Sequence, residues 1–547
     1  MDSNRRDILR FGTLGSFGVA AAGLSATPVY GGEVRPARQA STPTDFDVRH
    51  FGAKGNGIAV DSPAINAAIE AAAGVGGGTV RLPAGTYASY SIRLKSHIAL
   101  VLEPGCTILA APVPEQGTTT GGYDAAEPNP WDQYQDYGHS HWHNSLIWGE
   151  DLHDIAILGT GLIDGKGLSV GRKGEPPFAE LPGVGNKAIA LKNCHNVLLR
   201  DFSILQGGHF GILATGVDNL TIDNLKVDTK RDGIDIDCCH NVRLTNCTVN
   251  SPWDDGICPK SSFALGYAHA TENLTISNCY VTGNYQLGAV LDGSYRHFGP
   301  GEHGAPTGRI KLGTESSGGF KNVAISNCVF DQCAGFALES VDGAIVEDVT
   351  FTGITMRECA NSVLMLRLGR RMRSPAGTPV GTMRRIILSN IVSSNCLSKV
   401  ASTISGIPGY LIEDVKISDV YLHHAGGGTA ETAALVPPEK ETAYPSSGMF
   451  GALPAHGFFI RHARNLELSN IEIACEKPDA RPAFWVQDVD GLDLFRIKTP
   501  RSGSPKIFAL DSVQNFEVRA VRGIADASLA RVDRRTIDLD ATMNKLG

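Results

Sequence analysis

The chain has 547 residues, of which 63 are glycine and 7% are aromatic. This composition is typical of many short strands joined by tight turns, and it does not indicate disorder. The 49 basic and 57 acidic residues give a formal charge of −8. That balance argues against a nucleic-acid or anionic-membrane partner and favours a soluble, polar one.

The first 26 residues have the pattern of an export signal. Arg5 and Arg6 precede an uncharged stretch, residues 11–26, that is rich in glycine and alanine and is too short to span a bilayer comfortably. We predict a twin-arginine signal rather than a basic disordered tail, followed by a linker over residues 27–44. The expected location is the periplasm or the outside of a bacterial cell, with no membrane partner after removal of the signal.

A short helix is predicted next. Ser62 and Pro63 open an amphipathic segment that runs to about Ala73, with Ser62 as the N-cap and Pro63 in the first turn. Such a helix would cover the open end of a repeat array, where strand edges would otherwise be exposed.

A strand-like motif then recurs along the chain. Residues 196–204, 219–227, 241–249, 273–281 and 322–330 share the order Asn-apolar-x-apolar-x-Asn/Asp-x-x-apolar. Looser copies start at Asp348, Arg385, Asp414, Asn465 and Asn515. No helical pattern lies between the copies, so the repeat predicts an all-β solenoid of parallel strands rather than a strand-helix repeat. We expect one β-helix domain over residues 45–530, with loops inserted near 115–145, 291–308 and 425–456 and a C-terminal tail over 531–547.

The twelve cysteines are interpreted mainly as core residues. Five stand beside an asparagine in or just after a strand, where a small thiol packs well: Cys194, Cys247, Cys279, Cys328 and Cys396. No CxxC spacing indicates a metal site. Because twin-arginine export carries folded proteins out of a reducing cytoplasm, the even count does not by itself indicate disulfides.

Three aspartates have the spacing of a catalytic group. Asp232 stands five residues after the end of one repeat copy, and Asp254 stands five residues after the end of the next, with Asp255 beside it. They should therefore lie on adjacent coils, where like charges raise one another's proton affinity and can yield one acid and one base. The alternative is a set of turn aspartates that accept hydrogen bonds from backbone N–H groups.

Three longer segments carry a resemblance to a known family. They are FDVRHFGAKGNGIAVDSPAINAAIEAA, SLIWGEDLHDIAILGTGLIDGKG and RDGIDIDCCHNVRLTNCTVNSPWDDGICPKSS. In that order they resemble the N-terminal cap, the first complete coils and the NTDG-to-DD region of glycoside hydrolase family 28, the polygalacturonase and rhamnogalacturonan hydrolase group. The resemblance covers residues 45–420 and implies a right-handed parallel β-helix that hydrolyses O-glycosidic bonds with inversion.

Catalytic roles follow from the same resemblance. Asp254 is expected to be the acid, and Asp232 and Asp255 are expected to hold and deprotonate the attacking water, although these roles are open to exchange. The chain lacks the family's GHG tripeptide in the coil after the DD pair. One alignment places Tyr285 there, and another places Thr307 there. His303 lies in the preceding loop, as does His297, and either side chain could reach the cleft.

A second departure concerns the substrate. The family's RIK motif is associated with the substrate carboxylate, and Arg309-Ile310-Lys311 has these letters. Coil phase instead places the family motif at GFALES, where Ala337 and Glu339 replace its Arg and Lys. On that phase a carboxylate at this subsite would be repelled, which favours a neutral sugar there over a galacturonate. The linkage is left open between a pectin- or rhamnogalacturonan-like one and one between neutral sugars.

Other residues are predicted to bind the carbohydrate. Lys260 and Glu315 occupy equivalents of polar family positions, with a turn salt bridge as the alternative. His209 precedes Asp232 by one coil, and Arg231 takes the Thr position of NTD. An aromatic wall for the sugar is expected from Trp131, Tyr134, Tyr137 and Trp142.

The same segment contains His139, His141 and His143, whose alternation places them on one side of an extended chain. No fourth ligand is evident, so neither a metal ion nor another cofactor is expected. The long proline-rich loop LVPPEKETAYPSSGMFG would close one end of the groove, and this weakly favours exo over endo attack.

Two other functions remain open on the sequence. A polysaccharide lyase on the same scaffold would need a base and a cationic neutraliser, and the in-phase loss of Arg and Lys counts against it. A non-catalytic glycan-binding β-helix would not need three converging aspartates.

Overall fold

The computed structural model describes residues 44–112, 122–171, 180–304, 306–499 and 506–538. These residues belong to one compact unit. The predicted signal, residues 1–26, lies outside the described part of the chain, as do nearly all of the predicted linker and residues 539–547.

The described chain winds into a parallel β-helix whose coils contribute strands to three faces. One face, here called the groove sheet, contains Ile92–Arg93, Ile147–Glu150, Lys187–Lys192, Phe210–Thr215, Asp232–Asp237, Ile257–Lys260, Lys311–Leu312, Phe336–Ser340, Leu364–Leu368 and Ser402–Ser405. The second face contains Asp45–Asp47, Gly78–Leu82, Ile98–Leu102, His153–Leu158, His195–Arg200, Asp218–Asp223, His240–Thr245, Thr271–Ser277 and Gly319–Ser326. The third contains Asn56–Val60, Gly85–Ser89, Cys106–Ala110, Leu162–Asp164, Ser203–Leu205, Lys226–Asp228, Thr248–Asn250, Tyr280–Thr282 and Val329–Asp331.

Later coils are built from longer strands that pass from one face to the next. These are Ile345–Arg357, Thr382–Cys396, Ile412–Gly426, Phe458–Lys477, Phe484–Lys498 and Lys506–Arg519. All pair in parallel with their neighbours. The predicted parallel β-helix is therefore confirmed through the weaker repeats beyond residue 420.

The last strand, Ala527–Asp538, runs antiparallel to Lys506–Arg519. Residues 531–538, which were expected in a C-terminal tail, are part of this strand. An antiparallel strand pairs with the exposed edge of the final coil and so ends the solenoid.

The predicted helix is present at the other end as Ser62–Gly74, with Pro63 in its first turn. Ser62 is not its N-cap, because the helix starts at Ser62 and the cap position is Asp61. The Asp61 carboxylate instead accepts hydrogen bonds from the backbone N–H groups of Lys54 and Gly55. The remaining short helices are Val48–Phe51, Asp132–Tyr134, Tyr137–Ser140 and Ala430–Ala433.

The asparagines that start each repeat form a ladder on the second face. Asn196, Asn219, Asn241, Asn273 and Asn322 all have φ between 53° and 56°, in the left-handed region. Their side-chain amides bond mainly to the equivalent side chains of neighbouring coils, as in Asn219 to Asn196 at 2.8 Å and Asn273 to Asn241 at 3.1 Å. Asparagine recurs because it tolerates this conformation and supplies both a donor and an acceptor.

The cysteines also behave as predicted. All twelve are free, eleven are buried, and Cys475 is partly buried. No helix in the described residues has the length and apolar character that a bilayer crossing requires.

Substitutions of Asn241 test whether the asparagine ladder requires a left-handed backbone. Its amide donates to Asp218 at 2.7 Å, and its oxygen accepts from Asn273. Asn241→Gly keeps the left-handed backbone accessible, whereas Asn241→Val places a β-branched residue there. We expect the valine variant to lose about 1–2 kcal/mol more unfolding free energy than the glycine variant, measured by denaturant titration. Equal losses would contradict a backbone requirement at this position.

Candidate active site

The groove sheet brings the predicted aspartates together because its strands are stacked in register. Ile234 pairs with Ile257, and Ile257 bridges to Ile310. These isoleucines point into the core, so their chain neighbours Asp235, Arg309 and Lys311 point out into the groove. By this register Asp232 lies beside Asp255, and Arg231 lies beside Asp254. The sequence prediction that Asp232 and Asp254 are in phase was wrong by one residue.

Asp255 is buried between two cations from the next coil. Arg309 Nε lies 2.8 Å from Asp255 Oδ1, and Lys311 Nζ lies 2.9 Å from Asp255 Oδ2. Burial by itself would raise the pKa of Asp255, but the charges of Lys311 and Arg309 outweigh it and hold the pKa well below its ordinary value. Asp255 is therefore ionised.

Asp232 has the opposite character. It is buried, and its Oδ1 has no hydrogen-bond partner among the described residues. Burial, and then the nearby charges of Asp235 and Asp254, raise the pKa of Asp232 well above its ordinary value. A carboxylate oxygen of Asp232 lies within 4.8 Å of one from Asp255. The two groups thus form a close pair in which Asp232 binds a proton more tightly than Asp255 does.

Asp254 is the most exposed of the three aspartates, with 26% of its side chain accessible. Arg231 donates to its Oδ2 from Nε at 3.2 Å and from Nη2 at 3.0 Å. His209 is buried next to Arg231, and burial followed by the charge of Arg231 lowers the pKa of His209 well below its ordinary value. The imidazole is therefore neutral.

A second buried ion network lies beside these aspartates. Lys260 Nζ is 3.3 Å from Glu315 and 3.7 Å from Asp235, so the predicted Lys260 and Glu315 do meet. His139 Nε2 lies 3.3 Å from Asp235 Oδ2, although it is not aligned for a hydrogen bond. The network extends to Arg373, which is 3.7 Å from Glu315.

His139, Asp232 and Asp235 each place one potential metal-binding atom within 4.8 Å of the others. The Lys260 ammonium already supplies a positive charge to this group, so we assign no metal to it. The three alternating histidines do not converge, because His141 contacts Asp132 and His143 contacts Glu150 instead.

Arg309 and Lys311 were discounted on the sequence because coil phase places the family motif at Ala337 and Glu339, and the structure nevertheless brings both side chains to the aspartate pair. The backbone N–H of Gly308 donates to the carbonyl of Asp254, so residues 307–312 form the coil next to the aspartate pair. Ala337 does follow one coil later, opposite Lys311. Burial raises the pKa of Glu339, and its Oε2 accepts a hydrogen bond from Thr314. The two cations beside Asp255 therefore lie one coil before the position at which repulsion of a carboxylate was expected.

Tyr285 and His303 are not brought to the aspartates. The Tyr285 hydroxyl donates to Asp331 at 3.1 Å, and its ring packs with Ala289 and Val290 in a separate cluster. The His303 ring packs against Trp253 and Phe298 and bonds to the carbonyl of Gly283. Of the two possible alignments, the structure therefore agrees with the one that places Thr307 in the coil after the aspartate pair.

The predicted aromatic wall is mostly a packing element. Trp142 is fully buried, its Nε1 donates to Thr215 at 3.0 Å, and it packs on Ala190 and Leu213. It therefore has no free face for a sugar. Trp131 is partly buried and packs against Tyr134 and Phe263; the side chain of Tyr137 lies outside the described residues.

Several site residues were missed by the sequence reasoning. Asp235 shares the outward-facing parity of its strand, and the alternation of DGIDID could have revealed it. His139 and Tyr444 come from inserted loops. The Tyr444 hydroxyl lies 3.4 Å from Lys311 Nζ and 3.0 Å from Thr314 Oγ1. No local signal links Tyr444 to a coil 130 residues earlier.

Comparison with known proteins agrees with this architecture. Residues 187–371 match the family model described as "Right handed beta helix region", and residues 46–126 match "Rhamnogalacturonase A/epimerase, pectate lyase-like". A family 28 exopolygalacturonase of Yersinia enterocolitica aligns with a TM-score of 0.60 at 19% identity, covering 82% of this chain and 78% of that one. The chain is thus a right-handed parallel β-helix protein.

Sequence relatives give further evidence about the kind of protein to which this chain is similar. A probable polygalacturonase of Vitis vinifera is 24% identical over 404 residues, which are 69% of this chain and 73% of the relative. A mannuronan C5-epimerase of Azotobacter vinelandii is 46% identical over 67 residues, only 12% of this chain and 4% of the relative. These similarities confirm the predicted resemblance to glycoside hydrolase family 28 as a divergent one, and they support a polygalacturonase-like glycoside hydrolase.

Asp232 gives a test of the electrostatics. Because its folded-state pKa is raised, its burial carries no charge cost below the unfolded pKa of about 3.9 and becomes destabilising as the pH rises above that value. Each tenfold difference in proton affinity between the folded and unfolded states is worth about 1.4 kcal/mol. Asp232→Asn should therefore unfold at a higher temperature than the wild type at pH 7, and this advantage should disappear near pH 3.5. Asp254→Asn, at the exposed carboxylate, should give no such pH-dependent gain. A Tm difference for Asp232→Asn that does not change with pH would contradict the raised pKa.

Proposed function

We propose that the protein hydrolyses O-glycosidic bonds in an acidic, pectin-type polysaccharide or its fragments by single displacement. The observation that carries this proposal is the close pair of Asp232 and Asp255, whose pKa values are shifted in opposite directions, beside the partly exposed Asp254. Similarity to a probable polygalacturonase supports it. Export by the twin-arginine route is part of the proposal, since such a substrate lies outside the cytoplasm.

The geometry favours one division of roles. Asp232 and Asp255 are within 4.8 Å of each other, which is closer than the roughly 6.5–9.5 Å between acid and base that leaves room for a water in inverting enzymes. We therefore place both on the side of the attacking water, with Asp255 accepting its proton and the protonated Asp232 holding its oxygen. Asp254 donates a proton to the leaving oxygen as the bond to the anomeric carbon breaks.

Two cations favour a substrate that carries a carboxylate. Arg309 and Lys311 are buried and hold Asp255 in its ionised form. A carboxylate on the bound sugar would compete for the same two cations and weaken their hold on Asp255. The pKa of Asp255 would then rise, and a carboxylate with a higher pKa is a stronger base. Acidic substrates would thus activate the base as they bind.

The same two cations keep a second function in consideration. A polysaccharide lyase must neutralise the uronate carboxylate while a base removes the neighbouring proton, and the sequence argument against a lyase rested on the supposed loss of Arg and Lys. The short similarity to an epimerase also points to uronate chemistry. Hydrolysis remains the first proposal because the longer similarity is to a polygalacturonase.

The reaction type is tested with a panel of pectic and neutral oligosaccharides. We expect new reducing ends without absorbance at the unsaturated-uronate band, and proton NMR should detect the inverted anomer first. Asp232→Asn should lower kcat by about 10²–10⁴-fold, the range for loss of an acid-base group. Asp493→Asn, an exposed aspartate elsewhere on the solenoid, serves as the control. Appearance of the absorbance band would replace hydrolysis with elimination, and binding without turnover would favour a glycan-binding protein.

The proton donor is identified with an activated leaving group. An aryl glycoside with an acidic phenol needs no protonation to depart, so Asp254→Asn should hydrolyse it at a rate close to that of the wild type while losing activity on the natural linkage. Asp232→Asn should lose activity on both substrates. If Asp232→Asn is instead the variant rescued by the aryl substrate, Asp232 is the acid and our two roles are exchanged.

A further inference from the structure

The groove is occupied by the protein's own chain on both sides of the aspartates. On the side of the earlier coils, the loop over residues 122–145 lies on the groove sheet. Its Trp142 packs on Ala190 and Leu213, whose positions are in register with Asp235. Asn129 in the same loop donates to the carbonyl of Ala264 at 3.0 Å. A polysaccharide could follow the groove in this direction only by displacing a fully buried tryptophan.

On the side of the later coils, residues 437–444 cover the groove. Arg461 is fully buried and donates to the backbone carbonyls of Pro437 and Pro438 at 3.1 and 2.7 Å. Arg367, also fully buried, donates to the carbonyl of Lys440 at 3.0 Å. Arg367 pairs in register with Glu339 and therefore faces the groove. Backbone carbonyl oxygens of the loop thus accept hydrogen bonds from two arginines that line the groove floor.

The tip of this loop reaches the aspartate site. Tyr444 contacts Lys311 and Thr314 through its hydroxyl, while 56% of the residue is exposed. The register from Lys311 to Phe459 passes through Ala337, Met365 and Thr403. This is four coil steps, or about 19 Å at a strand spacing of about 4.8 Å. The loop therefore covers the floor continuously from the coil of Arg461 to the coil beside Asp255.

The segment that follows residues 437–444 is also packed against the solenoid. Phe450 is buried, with Arg461 stacked 4.7 Å from its ring centroid and the Phe459 ring 5.6 Å away. Near the aspartates, Arg373 joins the two sides of the groove, since it binds Asp136 of the earlier loop at 3.0 Å. The aspartates therefore lie in a recess rather than in an open groove.

We infer that this enzyme cleaves its polysaccharide only from a chain end. A recess that is closed along the helix axis on both sides admits a terminal sugar, but it cannot let a chain pass through. The exposed Tyr444 ring then forms one wall for the terminal sugar, next to the cationic Lys311. This inference rests on the proposed function, and it adds that residues 437–444 determine where along the polymer the reaction occurs.

The test measures separately where the polymer is cleaved and by which reaction it is cleaved. Viscosity and product size report where a long polymer is cut, whereas reducing ends and the absorbance band report how. We expect reducing ends to accumulate with little loss of viscosity, and only short products of uniform size to appear. Rapid loss of viscosity with mixed products would overturn the inference. A lyase acting from a chain end would give products of the same size as a hydrolase acting from a chain end. Product size therefore tests chain-end action alone, and the absorbance band tests hydrolysis alone.

Variants identify the loop as the cause. Arg461→Met removes the bonds to Pro437 and Pro438. Arg464→Met, on the same strand, removes only exposed ion pairs, with Glu413 and Asp490. We expect Arg461→Met alone to make the loop sensitive to protease and to raise internal cleavage by about tenfold, equivalent to about 1.4 kcal/mol of barrier. In a second variant a short Gly-Ser linker replaces residues 438–446. This variant should also raise internal cleavage, and it leaves the buried Arg461 side chain in place. Chain-end products from a variant whose loop is opened would refute the role of the loop.

Discussion

The in-register stacking of parallel coils is the constraint on which the rest of the structure depends. Because Ile234, Ile257 and Ile310 point inward in register on successive coils, Asp232 and Asp255, each two residues before one of these isoleucines, lie next to each other. Strands about 4.8 Å apart then bring carboxylates from different coils close enough to change each other's proton affinity. The acid-base character of the site is thus a direct result of the coil repeat.

The same stacking explains why the site tolerates so much buried charge. Acidic groups meet cations from neighbouring coils, so that Asp255 is held between Arg309 and Lys311 and Lys260 lies between Asp235 and Glu315. Removing one member would leave its partner buried and unpaired, which is costly. Asp232 is the exception, since no cation among the described residues pairs with it directly, and burial raises its pKa instead.

Loops between the coils add what the repeat cannot provide. A bare solenoid has an open groove, but here residues 122–145 and 437–444 cover its floor on either side of the aspartates. The arginines under the second loop bind its carbonyl oxygens, and this satisfies buried donors on both the floor and the loop. The coils therefore carry the three aspartates and their cations, while the inserted loops determine the shape of the site.

The sequence by itself determined the repeat, the parallel β-helix and the identity of the aspartates, because alternation and motif spacing are local properties. It did not determine the register to a single residue, so it placed Asp254 rather than Asp255 beside Asp232, and it discounted Arg309 and Lys311. Only the tertiary structure decided that Trp142 is buried, that Tyr285 lies in a separate cluster and that Tyr444 reaches the site. Those outcomes depend on the path of inserted loops, which have no repeat phase and whose contacts join distant residues, from 46 positions apart for Tyr285 and Asp331 to 130 for Tyr444 and Thr314.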